Sequence, residues 1–218
     1  MRVIASCSFI ALAASTSVAE AGLVNPLIPP WAGQANTQTA TWDSFTQASG
    51  GANTPDGPGS APFSLMNFAP GAFITGSGNI YSINSALYVM VTGGTRSNQL
   101  SPINVVINVA TSGSLLSYGS ARVSLFDSTG NSISLAPTSY EIRYDAPTPP
   151  QGSAQTVAFV WSLGSLPIAA SGFRIEFMAG APSMALDAVR LDLQYIPGPA
   201  PLALMGVAGL LSGRRRRS

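Results

Sequence analysis

The chain has 218 residues, 46% of them hydrophobic and only 9% charged, with a formal net charge of +1. That length supports one domain with a sizeable core, and the balance is too apolar and too weakly charged for intrinsic disorder. There is no histidine or lysine, and the one cysteine, Cys7, lies in the leader described next, so thiol and imidazole nucleophiles and His/Cys zinc sites are excluded downstream of it.

The first segment, "MRVIASCSFIALAASTSVAEAGLVNP", has the three parts of a secretory signal peptide. Arg2 is the positive n-region, Val3 to Ala14 the apolar h-region, and Ala19-Glu20-Ala21 an A-x-A site that predicts cleavage before Gly22. Residues 1–21 are therefore read as a leader, with signal peptidase and the general secretion machinery as partners. Too little apolar sequence precedes Cys7 for a lipoprotein reading.

Further along, Trp31, Trp42 and, later, Tyr81 are candidate sugar-stacking rings, with a core or edge position as the plainer alternative for each tryptophan. Residues 46–77 are punctuated by Gly and Pro but carry Phe63, Leu65, Phe68, Phe73 and Ile74. They read as a long packed loop over one end of the domain.

From about residue 78 onward, alternation with period two dominates. It places Ile103, Val105, Ile107 and Val109 on one face, and likewise Tyr140, Ile142 and Tyr144; Val157, Phe159, Trp161 and Leu163; Phe173, Ile175 and Phe177; and Val189, Leu191, Leu193 and Tyr195. Asp127 to Asn131 reads as a hairpin turn. Nine or ten strands are expected, each with one apolar face that must be buried against another layer. The predicted fold is all-β: an antiparallel β-sandwich of jelly-roll type over residues 22–195, with a barrel as second choice. No fixed-period repeat supports a propeller or solenoid.

The same alternation turns Glu141, Asp145, Glu176 and Asp192 toward solvent, and Asp56 and Asp127 read as turn residues. Asp187 shares parity with Val189 and Leu191, which points it inward unless a bulge near Ala185 turns it out. "ALDAVRLDL" resembles the last strand of secreted sugar-binding jelly-roll modules, and that resemblance makes Asp187 a candidate calcium ligand. No cofactor is expected, because no P-loop or dinucleotide fingerprint is present.

The chain closes on "PGPAPLALMGVAGLLSGRRRRS". Counted from Ile196 to Gly213, the 18 apolar or small residues would span about 27 Å as a helix, just under a bilayer core of about 30 Å. Pro197, Pro199 and Pro201 weaken its first third as a helix. Arg214, Arg215, Arg216 and Arg217 are stop-transfer charge held on the cytoplasmic side. Pro197-Gly198-Pro199, the apolar run and the arginine cluster together resemble the PEP-CTERM sorting signal, with Gly198 where that family has glutamate.

The resemblance covers residues 196–218 and implies an exosortase-like membrane enzyme as a partner, transient residence in the inner membrane and a link to extracellular polysaccharide. An uncut short anchor is the alternative. Nucleic acid is not an expected partner: residues 22–195 carry five arginines against eight acids, a net charge of −3. The sequence thus predicts an exported, non-catalytic structural or adhesive protein of the cell envelope or extracellular matrix. Its rivals are a carbohydrate-binding module and a carboxylate glycosidase with two facing acids.

Overall fold

The alternating segment "INVVINVA" lies within a twelve-residue strand, and the segments predicted on the same principle become its neighbours. A computed structural model describes residues 22–56, 62–94, 102–149, 152–164 and 170–195. In chain order the strands are β1 (Thr37–Trp42), β2 (Phe63–Asn67), β3 (Phe73–Ile74), β4 (Ile80–Ser82), β5 (Tyr88–Gly94) and β6 (Pro102–Gly113). A 3-10 turn at Tyr118–Ser120 precedes β7 (Arg122–Phe126), β8 (Ser132–Leu135), β9 (Ser139–Pro147), β10 (Ser153–Ser162), β11 (Gly172–Met178) and β12 (Met184–Tyr195).

These strands form two antiparallel sheets. The seven-stranded sheet has the order β3-β4-β12-β6-β10-β9, with β1 also on β12, and the five-stranded sheet has the order β2-β5-β11-β7-β8. On β12, β6 takes one edge along its length, while β4 takes Met184–Leu186 and β1 takes Val189–Gln194 on the other. One buried cluster draws on both sheets: Val105, Ile107, Val109, Phe159 and Leu191 from the first, and Leu65, Val89, Val91, Val123 and Ile175 from the second. Each inward side chain contributes roughly 1.5–3 kcal/mol by leaving water.

Several expectations are corrected. Among the described residues twelve strands form rather than nine or ten. Residues 46–77 are not one loop, because Phe63 and Leu65 anchor β2 in the core and Phe73–Ile74 form β3. The turn at Asp127 does close the β7–β8 hairpin, with Asp127 N–H donating to Asn131 O at 3.0 Å.

The face of Tyr140 and Ile142 is exposed, at 49% and 48%, because β9 is the end strand of the larger sheet. The smaller sheet's edge strand β8 meets β10 instead, where Trp161 Nε1 donates to Leu135 O at 3.1 Å. A bulge leaves Arg143 without an opposite residue, so Tyr144 turns to the face away from Ile142.

Asp192 is fully buried, contrary to its reading as a solvated strand residue. Its carboxylate accepts from Arg190 Nε at 2.8 Å, Arg190 Nη2 at 3.0 Å and Thr39 Oγ1 at 2.6 Å, so its charge is paired where water is excluded. Alternation alone could not show that the outward face of this sheet is covered. Residues 23–30 lie across it as a strap. Leu27 N–H donates to Asn108 Oδ1 at 2.7 Å and Leu27 O accepts from Asn108 Nδ2 at 3.0 Å, while Val24 N–H donates to Thr156 Oγ1 at 3.1 Å.

Gly113 marks the tightest strand approach. Its φ is +90°, and a Cβ there would lie 2.2 Å from Ser183 O, which is main chain. Gly113→Ala is expected to lower unfolding free energy by about 3 kcal/mol through strain and overpacking, read as a reduced urea midpoint at unchanged slope.

Candidate functional site

The best-defined polar cluster outside the core forms where β12 departs from regular pairing. Leu186 stands opposite Thr111 and Ala188 opposite Ala110, so Asp187 is the extra residue of a bulge. The bulge reverses side-chain parity: Leu186 and Val189 both enter the core, and Asp187 lies on the other face with Ser112. The inward expectation is thereby corrected, and the bulge sits at Asp187 itself.

Asn79 Nδ2 donates to Asp187 Oδ1 at 2.6 Å and Ser112 Oγ donates to the same atom at 3.4 Å. Asn79 stands just before β4 and Ser112 on β6, so three separate strands or strand ends supply the cluster. Asp187 is only 9% exposed, and Asn79 Oδ1 is buried without a hydrogen bond. Burial pushes the Asp187 carboxyl up to about 6, against the opposing hydrogen bonds from Ser112 and Asn79. With one carboxylate, one amide and one hydroxyl, the cluster offers few oxygen donors for a divalent cation. Among the described residues no group of three or more His, Cys, Asp or Glu side chains comes together.

The aromatic candidates separate. Trp42 is fully buried, and its Nε1 donates to Asn53 O at 3.1 Å, so it is a core residue and not a sugar platform. Trp31 is half-buried in the segment joining the strap to β1. Tyr81 is half-buried opposite Ala185, its ring edge-on to Phe73 at 5.5 Å. The most open aromatic surface involves residues the sequence reading did not nominate: Tyr118 stacks on Tyr140 at 4.9 Å and 23°. Tyr118 OH donates to Gln155 Oε1 at 3.0 Å, which fixes the ring against β10. Alternation flagged Tyr140 as apolar-facing but could not show that, at the end of the larger sheet, it is covered only in part.

Of the carboxylates, Asp43 and Asp56 come close together after β1. Asp56 Oδ2 accepts from the main-chain N–H groups of Asp43, at 2.5 Å, and Ser44, at 3.2 Å. Partial burial first, and the Asp56 charge second, raise the Asp43 carboxyl above its usual range. Glu141 pairs with Arg143 at 2.9 Å and Glu176 with Arg174 at 3.2 Å. Gly22 begins the described residues, while Ala19, Ala21, Pro197, Gly198, Pro199 and Arg214 to Arg217 lie outside them.

No protein-family model matches the chain, and no curated protein matches it either.

A raised carboxylate makes folding pH-dependent with a definite sign. Asp187 stabilises the fold fully below its unfolded pKa near 3.8, and that contribution is lost as pH rises through about 6. From pH 4 to pH 7 this one group is expected to remove roughly 2–3 kcal/mol. Asp187→Asn should abolish that component and unfold at a higher denaturant concentration than the parent at pH 7, as measured by urea titration across pH.

Proposed function

We propose that this is an exported structural or adhesive protein of the cell envelope or extracellular matrix, non-catalytic, built as a jelly-roll-type β-sandwich and addressed by its two ends. The observation that carries the reading is the tail, in which Pro197-Gly198-Pro199, the Leu202–Leu211 run and Arg214–Arg217 follow one another. Four guanidinium groups resist transfer through hydrocarbon by roughly 10 kcal/mol together, so the tail stops in the membrane with its end in the cytoplasm. The leader starts export, the body folds outside, and an exosortase-like enzyme acts near Pro197–Pro199.

The body is consistent with an interaction role. Tyr140, Ile142 and Tyr144 are exposed along the end strand β9, and the Asp56 carboxylate near Asp43 is committed to main-chain N–H groups. A second reading, polysaccharide binding, is favoured by the Tyr118–Tyr140 stack, an exposed ring surface of the kind that pyranose C–H groups pack against. Under that reading the platform is Tyr140, not Trp42.

Two measurements test these readings. Intact-mass analysis from the native host should give a product beginning at Gly22 and ending near the Pro197–Pro199 motif, and Arg214→Ser through Arg217→Ser combined should abolish the C-terminal processing. A full-length tail retained with normal surface delivery would refute the sorting reading. For the second reading, Tyr140→Ala should weaken retention on immobilised matrix polysaccharide at least ten-fold, whereas Trp31→Ala should leave it unchanged.

A further inference from the structure

We propose that the outer face of the five-stranded sheet carries a binding site for a glycan bearing carboxylate groups, read by Arg174. The inference concerns this face alone and depends neither on the tail nor on the Tyr118–Tyr140 platform. An open groove of about 520 Å3 lies there, within the roughly 300–1,000 Å3 common for ligand sites. Register builds it. On β5 and β11, Val91, Phe173 and Ile175 enter the core, so Thr92, Gly94, Gly172 and Arg174 face outward. Ser64 of β2 stands beside Thr92, and Phe126 of β7 beside Gly172, on the same face. Arg174 is the one charged residue among those lining the groove, although residues 22–195 carry a net charge of −3.

Arg174 is held in place yet left with donors to spare. Its guanidinium packs over the Phe126 ring at 5.5 Å, and its Nε stands 3.2 Å from Glu176 Oε1. Tyr88 OH donates to that same oxygen at 2.5 Å, which anchors Glu176. Arg174 Nε is buried without a hydrogen bond, and Nη1 and Nη2 donate to no acceptor among the described residues. A guanidinium carries five N–H donors in a planar fork, and a carboxylate takes two at a time. Ser64, Thr92 and Arg174 are successive cross-strand neighbours, so two hydroxyls lie in the same row as the charge.

The floor points to close approach by a ligand. Gly94 and Gly172 are paired across it, and neither has a left-handed φ. A Cβ would meet nothing closer than 3.9 Å at Gly94 and 3.4 Å at Gly172, so the fold has no steric need of glycine at either position. Glycine in a strand weakens it and commonly marks a place where another molecule comes near the backbone. A peptide adding to a sheet needs free main-chain partners, but β2, β5, β11 and β7 use theirs on one another beneath the groove. A saccharide instead needs hydroxyl partners, an apolar patch for its C–H groups and, if acidic, a cation. Ser64 and Thr92, Met90, and Arg174 supply them in that order.

The test is isothermal titration calorimetry on the full chain, with oligogalacturonate and with the same oligomer reduced at its carboxyl groups. Oligogalacturonate is expected to bind, and the reduced oligomer to bind about ten-fold more weakly or worse. Arg174→Gln should lower the affinity for oligogalacturonate by about ten-fold or more, and Gly94→Val should do the same by filling the floor. Gly94→Val should keep the parent's urea midpoint, so its loss of binding reports the groove even where Arg174→Gln fails to fold. Tyr140→Ala should bind as the parent does, which separates this site from the tyrosine platform. The proposal is overturned if neither oligomer binds, if the reduced oligomer binds equally well, or if Gly94→Val retains the parent's affinity. It is equally overturned if hexaglutamate binds as tightly as oligogalacturonate, or if Tyr140→Ala abolishes the binding.

Discussion

A strand with one apolar face has no stable existence alone, and most of the architecture follows from that requirement. β12 and β6 each carry inward Val, Ile or Leu at every second position over much of their length. Set side by side, they give a surface that only a second apolar surface can cover, and the five-stranded sheet brings one in Val89, Val91, Val123 and Ile175. Dispersion and water release then act on the whole layer at once. The polar features stand at departures from this rule: the bulge at Asp187, the overhang of β9 and the covered back of the larger sheet.

The fold was legible where period two was unbroken, and it became illegible where a single residue shifted the phase. Val105 to Val109 and Phe173 to Phe177 alternate as the pairing places them. Asp187 does not, because one extra residue reverses the parity of everything before it, and no local signal distinguishes that insertion from continued alternation. Tyr140 and Ile142 have the right phase but end up in the open, since exposure depends on how many strands the opposing sheet has. Asp192 shows the opposite failure: its outward phase is right, yet a segment about 160 residues earlier in the chain helps to keep water from that face.

The candidate site was legible only in part, for a similar reason. Asp187 announces itself through an acid on an apolar phase, whereas Asn79 and Ser112 are ordinary polar residues until strand pairing brings them beside it. The address proposed for the two ends would rest on a different kind of information: charge, apolar length and proline spacing are read by membranes and processing enzymes while a chain is extended, so such signals need no fold.

The irregularity at Arg143 bears on how such a protein behaves when crowded. β9 is a nine-residue strand at the margin of a large sheet, the geometry that invites stacking into cross-β filaments. The phase break in its middle, with Asn25 bonded to the Arg143 main chain, interrupts the row of groups a neighbouring strand would need. Amyloid-like growth along that margin is thereby opposed.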